Sequence, residues 1–152
     1  MAGQSTMREI LLVEDSESDA ELLKRVLSGL NVLNPLRHLL DGGEAMAYLR
    51  SLESATAAQL PTVLFLDIKL PRASGFEILT YLEMKSFFSP MLKVVVSDLD
   101  DMESIRTAYA LGAQAFLCKP VHKRDLEELL KLHPELVTFA EPGQSALEKV
   151  GS

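Results

Sequence analysis

Short apolar runs alternate with longer segments of helical periodicity along this chain. Residues 10–13, 63–66, 94–96 and 115–117 are continuous apolar runs, and residues 36–40 form a weaker one. Runs of this length predict strands that are buried on both faces. The segments after them carry apolar residues three or four apart, as on one face of a helix. These residues are Leu22, Leu23, Val26, Leu27, Leu30, Ala45, Tyr48, Leu49, Leu52, Phe76, Leu79, Leu82, Met102, Ile105, Tyr109, Leu126, Leu129 and Leu130.

Five strands that alternate with five helices predict an α/β fold, because parallel strands need helical crossovers between them. Helices then cover both faces of the sheet, which is the doubly wound arrangement. Ser16 with Asp19 three residues later resembles a helix-capping box, and Gly112 is placed to end the fourth helix. After Pro134 the periodicity fades, so we expect a frayed C-terminal end.

Composition limits the function classes without selecting one. The 152 residues fit one domain, and 47% hydrophobic with 24% charged residues is a globular composition. A net charge of −7 argues against a nucleic-acid surface, which needs clustered Lys and Arg. The chain has neither an apolar run of membrane-spanning length nor a signal peptide, so we expect a cytoplasmic protein without membrane contact. The single Cys118 excludes an internal disulfide, and we expect it to be a small buried residue of the fifth strand.

Polar residues that could carry chemistry stand at the carboxyl ends of the predicted strands. Glu14 and Asp15 follow the first strand and Asp67 follows the third, while Ser97 and Lys119 end the fourth and fifth. In a doubly wound sheet these ends share one edge, where such folds bind their ligands. Each residue alone fits a turn or a helix cap, but that interpretation does not account for all five together.

These five residues suit phosphoryl chemistry. Crowded carboxylates repel one another unless a cation lies among them, and Mg²⁺ suits a few carboxylates together with phosphate oxygens. Lys119 offers a positive charge and Ser97 a hydroxyl to phosphoryl oxygens. Phosphoryl transfer depends mainly on positioning and charge neutralisation. We therefore predict that Asp67 is a nucleophile that forms an acyl phosphate, with Mg²⁺ as cofactor and Mn²⁺ as its substitute.

Four motifs carry a family resemblance: Leu-Leu-Val-Glu-Asp-Ser, Leu-Phe-Leu-Asp-Ile-Lys-Leu-Pro-Arg-Ala-Ser-Gly, Val-Val-Val-Ser and Phe-Leu-Cys-Lys-Pro. Together they resemble the response-regulator receiver domains of two-component signalling. The likeness covers residues 8–133, which we expect to form the receiver domain, with flexible or peripheral termini at 1–7 and 134–152. It implies the CheY-like, flavodoxin-like (βα)5 sandwich, whose five-stranded parallel sheet has the order 2-1-3-4-5.

The resemblance also implies roles for individual residues. Asp67 would accept a phosphoryl group from a sensor histidine kinase or a phosphotransfer protein. Asp15, Asp67 and the backbone carbonyl of Lys69 would hold Mg²⁺ directly, with Glu14 acting through water. Ser97 would then move toward the phosphoryl group and Phe116 would shift inward. The output face would be the fourth helix, fifth strand and fifth helix, within residues 101–133.

The expected output is contact with a downstream protein, because the acidic tail gives no sign of a DNA-reading domain. Residues 41–50 and the long connection before Pro61 resemble the small regulators paired with phytochrome-type histidine kinases. Since those relatives often dimerise, a homodimer is a further expectation.

Three residues are candidates for tuning the reaction. Lys69 and Leu99 lie two residues after Asp67 and Ser97, at positions where family members shape the approach of water. Asp98 departs from the small residue usual at its position and adds negative charge near an anionic donor. We therefore expect Asp98 to slow phosphorylation by small phosphodonors.

Two other function classes stay open at this point. A receiver-like interaction module that no longer takes phosphate would explain Asp98, although the five site residues speak against it. A phosphatase that passes through an aspartyl-phosphate would need an acid or base two residues after Asp67, where this chain has Lys69. We therefore favour a signalling switch rather than an enzyme.

Overall fold

The computed structural model describes residues 7–141, and within them the predicted alternation of strands and helices is confirmed. The strands are β1 (Ile10–Val13), β2 (Leu36–Leu39), β3 (Val63–Leu66), β4 (Leu92–Ser97) and β5 (Ala115–Cys118). The helices are α1 (Glu17–Gly29), α2 (Gly42–Ser51), α3 (Gly75–Glu83), α4 (Met102–Ala110) and α5 (Lys123–Lys131). None of the helices in this part of the chain has the length and apolar content to cross a bilayer.

The strands form one parallel sheet in the order β2-β1-β3-β4-β5, as predicted. Neighbouring strands are paired so that their carboxyl ends are level: Val13 is opposite Leu39 on one side and Leu66 on the other. Leu66 is in turn opposite Val95 of β4, and β4 extends two residues further, to Ser97. The residues that follow these strands therefore meet at one edge of the sheet.

The alternation of side chains along each strand divides the core into two layers. Leu11, Val13, Leu64 and Leu66 pack with buried residues of α2, α3 and α4. Ile10, Leu12, Val63 and Phe65 pack on the opposite face with α1 and α5. Because both faces are covered, β1 and β3 are buried along their whole length, which explains their continuous apolar runs.

Four of the helices in the described part of the chain begin at a polar cap residue, and the sequence pattern suggested the first of them. Ser16, Asp41, Ser74 and Asp101 each accept a hydrogen bond from the backbone N–H three residues later. At the other end of α4, Gly112 has a φ of 108°, the left-handed conformation predicted for a C-terminal glycine.

The loop between β3 and α3 is held against the end of β3 by Gly75. The Gly75 N–H donates to the Ile68 carbonyl oxygen at 2.8 Å. A Cβ atom at this position would collide with the Asp67 carbonyl oxygen and lie 2.8 Å from the Cα atom of Ile68. The glycine therefore lets the start of α3 approach the backbone of Asp67 closely.

The segment after α5 makes more contacts than the expected frayed end, so that expectation is wrong for residues 136–140. Val137 is buried, and Phe139 forms an antiparallel bridge with Val32. The Thr62 hydroxyl donates to the Leu136 carbonyl oxygen at 2.6 Å. Apolar burial and these backbone contacts compensate for the missing periodicity. Residues 1–6 and 142–152 of the predicted termini lie outside the described residues, and the domain limits 8–133 stay a prediction.

The expected burial of Cys118 is also wrong, because its side chain is exposed. β5 is the last strand of the sheet and pairs only with β4, so one flank has no neighbouring strand to cover it. On the adjacent α4, Met102 and Tyr109 are 59% and 48% exposed. The α4–β5 side of the molecule thus presents apolar and aromatic groups to solvent.

Replacing Gly75 with alanine is expected to lower the free energy of unfolding by about 2–4 kcal/mol, since the added methyl group must push apart two backbone segments. Urea unfolding measures the change. Gly29→Ala is the matched control, because a Cβ atom at Gly29 meets nothing within 4 Å. That variant should stay within about 1 kcal/mol of the parent, on the stabilising side. Equal midpoints for Gly75→Ala and the parent would contradict the close approach.

Candidate functional site

The pairing of β1 with β3 places two acidic side chains next to each other. Glu14 and Asp67 each follow a strand by one residue, and the residues before them, Val13 and Leu66, are register partners. The Asp67 N–H donates to the Val13 carbonyl oxygen at 3.1 Å, which extends the ladder to the start of the loop. Both side chains are buried, with Glu14 at 3% and Asp67 at 5% exposure.

Lys119 reaches this pair from the end of β5. Its backbone N–H donates to the Ser97 carbonyl oxygen at 2.9 Å, which sets the side chain beside the end of β4. The Lys119 Nζ atom lies 2.7 Å from Glu14 Oε1 and 2.9 Å from Asp67 Oδ2. A third carboxylate, Asp19 of α1, contributes Oδ2 at 2.9 Å. An ammonium group has three N–H donors, so these three carboxylates can occupy all of them.

Backbone groups orient the two buried carboxylates. Glu14 Oε2 accepts from the Ser16 N–H at 3.1 Å, and Asp67 Oδ1 accepts from the Ile68 N–H at 2.7 Å. His38 of β2 donates from Nε2 to the Glu14 carbonyl oxygen at 2.8 Å and so fixes the backbone on the other side. One oxygen of each carboxylate is thus held by backbone while the other faces Lys119.

The pKa values of Glu14 and Lys119 are both raised above the ordinary values of these groups. Burial raises the pKa of the Glu14 carboxyl to about 7, against the hydrogen bonds from Lys119 and the Ser16 N–H, which lower it. Burial opposes the charge of Lys119, but its bonds to Asp67, Glu14 and Asp19 outweigh this effect and raise the pKa above its ordinary value. The lysine therefore stays charged, while the carboxylates remain crowded beyond what one cation neutralises.

Glu14, Asp15 and Asp67 fit a divalent cation. One carboxylate oxygen from each of the three residues lies within 4.8 Å of the other two. Asp15 is exposed while the other two are buried, so the cluster opens to solvent on the Asp15 side. A set made only of carboxylate oxygens is typical of Mg²⁺ and Mn²⁺ rather than of zinc. The Lys69 side chain is exposed, and only its backbone carbonyl was predicted to take part.

The remaining predicted residues lie around this cluster. Ser97 is fully buried, and its hydroxyl accepts a hydrogen bond from the Leu99 N–H at 3.2 Å. Asp98 is exposed, so its charge faces solvent beside the site. Phe116 is partly buried and packs against the core layer of α2, α3 and α4. These positions are consistent with the predicted tuning and switching roles, which stay predictions.

Two site residues were missed from the sequence. Asp19 was interpreted only as part of a helix cap, and His38 only as a strand residue. Asp19 contacts a residue 100 positions away along the chain, which no local pattern reveals. His38 lies between Arg37 and Leu39 in β2, and only the bond from its side chain to the Glu14 carbonyl oxygen distinguishes it.

Comparison with known proteins agrees with this geometry. A family model described as the response regulator receiver domain matches residues 10–131. Response regulator Rcp1 of Synechocystis is 29% identical over 130 residues, which cover 86% of this chain and 86% of Rcp1. The predicted family resemblance is confirmed by these matches.

Solved structures give the same result for the fold. The Mn²⁺-bound form of response regulator Rcp1 has a TM-score of 0.69 and 28% identity, with 88% of this chain and 99% of that chain covered. The phosphorylated cyanobacterial phytochrome response regulator RcpA has a TM-score of 0.69 and 28% identity, with 85% and 92% covered. The acidic cluster and the Mn²⁺-bound relative confirm the predicted divalent-cation cofactor, while the individual ligands stay a prediction.

Mg²⁺ is expected to stabilise the folded protein, because the unfolded chain has no preformed cluster. At about 100 times its dissociation constant, the ion should raise the free energy of unfolding by about 2.7 kcal/mol. Asp15→Asn should lose most of this gain, whereas Glu103→Gln, an exposed acid of α4, should keep it. Urea unfolding with and without Mg²⁺ measures the difference. An unfolding midpoint of the parent that is the same with and without Mg²⁺ would contradict a cation site at this cluster.

Proposed function

This chain belongs to the response regulator receiver domain family, and we propose that Asp67 accepts a phosphoryl group from a histidine kinase or a phosphotransfer protein. The single observation that carries the proposal is the position of Asp67. Its carboxylate is buried at the carboxyl edge of the sheet, next to the acidic cluster and 2.9 Å from the Lys119 ammonium. Phosphoryl transfer to a carboxylate needs the carboxylate to be positioned for attack and needs positive charge beside it.

The transfer of the phosphoryl group from histidine to Asp67 needs no oxidant or reductant. One oxygen of Asp67 attacks the phosphorus atom of a phosphohistidine, and a P–O bond forms as the P–N bond breaks. The imidazole leaves with the electron pair of that bond and takes up a proton from water, so it departs as a neutral ring. The product is an acyl phosphate on Asp67, which water can later hydrolyse to restore the carboxylate.

The chain's own groups would carry the charge of this reaction. The Lys119 ammonium lies within hydrogen-bond distance of Asp67. It could therefore donate to the oxygens of a phosphoryl group that arrives at Asp67. A divalent cation at the carboxylate cluster supplies further charge neutralisation when bound. Glu14 and Asp15 would hold that cation together with Asp67 and the backbone carbonyl of Lys69.

Ser97 and Phe116 are proposed to transmit the change. Ser97 lies at the end of β4, and its carbonyl oxygen is already bonded to the backbone of Lys119. Its hydroxyl oxygen accepts from the Leu99 N–H, and its O–H would donate to a phosphoryl oxygen. Phe116 on β5 is half-buried, so its ring lies at the boundary between the core and solvent, and it would turn inward in the phosphorylated state. Such a local charge event can bias a two-state element.

The output surface is proposed to be the α4–β5–α5 face. This face carries the exposed Met102 and Tyr109 and the open edge of β5. Apolar and aromatic groups at a surface are common anchors of protein contacts. A downstream protein, or a second copy of this chain, would bind here. The chain would therefore act as a phosphoacceptor in signalling, with self-phosphorylation and slow self-hydrolysis as its own chemistry.

Replacing Asp67 with asparagine is expected to abolish labelling by a small phosphodonor such as acetyl phosphate, because an amide is not a nucleophile for this transfer. Intact-mass measurement with Mg²⁺ detects the added phosphoryl group in the parent. Glu103→Gln serves as the control and should be labelled like the parent. Absence of labelling in the parent with every donor, kinases included, would favour the interaction module. Release of phosphate over many turnovers would favour an enzyme.

Asp98→Ala is expected to speed labelling by acetyl phosphate about two- to threefold, since an exposed charge is partly screened by solvent. Asp100→Ala is the matched control, because Asp100 is an exposed acid two residues further along the same loop. Initial rates of mass change at fixed Mg²⁺ compare the variants. Equal rates for Asp98→Ala and the parent would remove Asp98 from the tuning residues.

A further inference from the structure

Asp19 makes a contact that its place in the helix cap does not require. α3 shows what a complete capping box looks like: Glu77 accepts from the Ser74 N–H at 2.8 Å, while the Glu77 N–H donates to Ser74 Oγ. Asp19 holds the equivalent position in α1, and its N–H donates to Ser16 Oγ at 3.2 Å. Its carboxylate, however, does not return to the cap.

The cap of α1 is completed by a different residue. The Ser16 N–H donates to Glu14 Oε2 at 3.1 Å, so the donor that Asp19 would otherwise satisfy is already bonded. The Asp19 carboxylate is thereby released, and its Oδ2 atom lies 2.9 Å from Lys119 Nζ. The same glutamate therefore both joins the acidic cluster and frees Asp19 for the lysine.

Among the three carboxylate partners of Lys119, Asp19 differs from the other two. Glu14 and Asp67 are members of the cluster that fits a divalent cation, and Asp19 is not. Its side chain is 42% exposed, against 3% for Glu14 and 6% for Asp67. Asp19 thus holds the lysine from outside the cluster, at the solvent side of the site.

We propose that Asp19 is a positioning residue that keeps the Lys119 ammonium beside Asp67 while Glu14 and Asp67 share their oxygens with a divalent cation. The proposal rests on the proposed function, since it assigns Lys119 to the phosphoryl-transfer site. Carboxylates that bind a cation lose strength as acceptors for a neighbouring ammonium, and the two positive charges repel each other. Asp19 lies outside the cluster, so a bound cation would leave its carboxylate oxygens to Lys119, and its backbone is held on α1 by the Ser16 cap.

Asp19 and Lys119 both line a small cavity on the α1 side of the site. Its volume is about 20 Å³, the space of one water molecule, and Glu14 also lines it. A water molecule there could solvate the ammonium if the Asp19 carboxylate were removed. Without the Asp19 charge, cation repulsion would drive the ammonium outward, away from Asp67.

The position of the ammonium can be observed without any reaction. A lysine ammonium held by three carboxylates exchanges its hydrogens slowly, so ¹H–¹⁵N spectra should show a Lys119 signal, assigned by its loss in Lys119→Arg. We expect the parent to keep this signal in both the absence and the presence of Mg²⁺. Asp19→Asn should keep it without Mg²⁺ and lose it with Mg²⁺. A signal that survives Mg²⁺ in Asp19→Asn, or disappears in the parent, overturns the proposal.

A matched control separates contact from charge. Glu17→Gln removes a carboxylate from the same first turn of α1, and Glu17 is exposed and has no described bond to Lys119. This variant should behave like the parent in both spectra. Loss of the Lys119 signal in Glu17→Gln with Mg²⁺ would show that net charge, rather than the Asp19 contact, holds the lysine.

Kinetics give the second readout. If only a negative charge is lost, the Mg²⁺ concentration that gives half the maximal labelling rate should change. If Lys119 is misplaced, the labelling rate at saturating Mg²⁺ should fall. With acetyl phosphate, Asp67 forms a P–O bond and acetate leaves with the electrons of the broken P–O bond. The saturating rate should fall about five- to tenfold in Asp19→Asn and less than twofold in Glu17→Gln. Asp19→Glu should recover most of the rate.

These outcomes separate the two proposals. If the parent is never labelled, the proposed function fails, and the Mg²⁺-dependent Lys119 signal still decides the role of Asp19. If the parent is labelled and Asp19→Asn matches it at saturating Mg²⁺, the positioning role fails and the proposed function stands. Asp19→Asn should keep the fold, because the bond from the backbone N–H of residue 19 to Ser16 Oγ does not depend on the carboxylate. Urea unfolding of this variant checks that expectation.

Discussion

Glu14 and Asp67 are buried side by side because β1 and β3 are paired with their ends level. Two carboxylates in such a place are unfavourable unless positive charge compensates them. Lys119 supplies one positive charge from the end of β5, and its three N–H donors meet three carboxylates. Burial raises the pKa of Glu14 even though Lys119 donates a hydrogen bond to it. Three carboxylates contact this one ammonium, so a divalent cation bound at the acidic cluster would offset the remaining negative charge.

The rest of the structure serves to hold this edge of the sheet in place. Gly75 allows the start of α3 to lie against the backbone of Asp67, and His38 binds the backbone of Glu14 from β2. Ser97 binds the backbone of Lys119 from β4. The start of α3 and the strands β2 and β4 thus each contribute a residue that contacts the backbone of a site residue. The apolar layers above and below provide the rigidity that keeps these distances.

Much of this arrangement could be predicted from the sequence, because it follows from local pattern. A buried parallel strand is a continuous apolar run, and the first polar residue after it marks the carboxyl edge. Glu14, Asp67 and Lys119 are recognisable in this way, and the sheet order followed from the family resemblance.

The features that were missed depend on contacts distant in sequence or on the position of a strand within the sheet. Asp19 has a cap pattern whose donor is used by another residue, and its partner is 100 positions away. Cys118 looks like a core residue until β5 is placed at the edge of the sheet. The segment around Val137 has no periodicity of its own and is ordered by Thr62 and Val32, far from it in the chain.

The contacts of Lys119 also determine how a charge change at Asp67 could spread. A phosphoryl group on Asp67 adds negative charge on one side of the ammonium, and the lysine must redistribute its three donors among the groups around it. Its backbone is bonded to Ser97, which leads toward β4 and the α4–β5–α5 face, and its side chain is bonded to α1 through Asp19. If Asp19 holds firm, the side chain stays near Asp67, and the change is carried by Ser97 and β5. The strength of the Asp19 contact would then decide whether the response is directed to α4 and β5 or absorbed by α1.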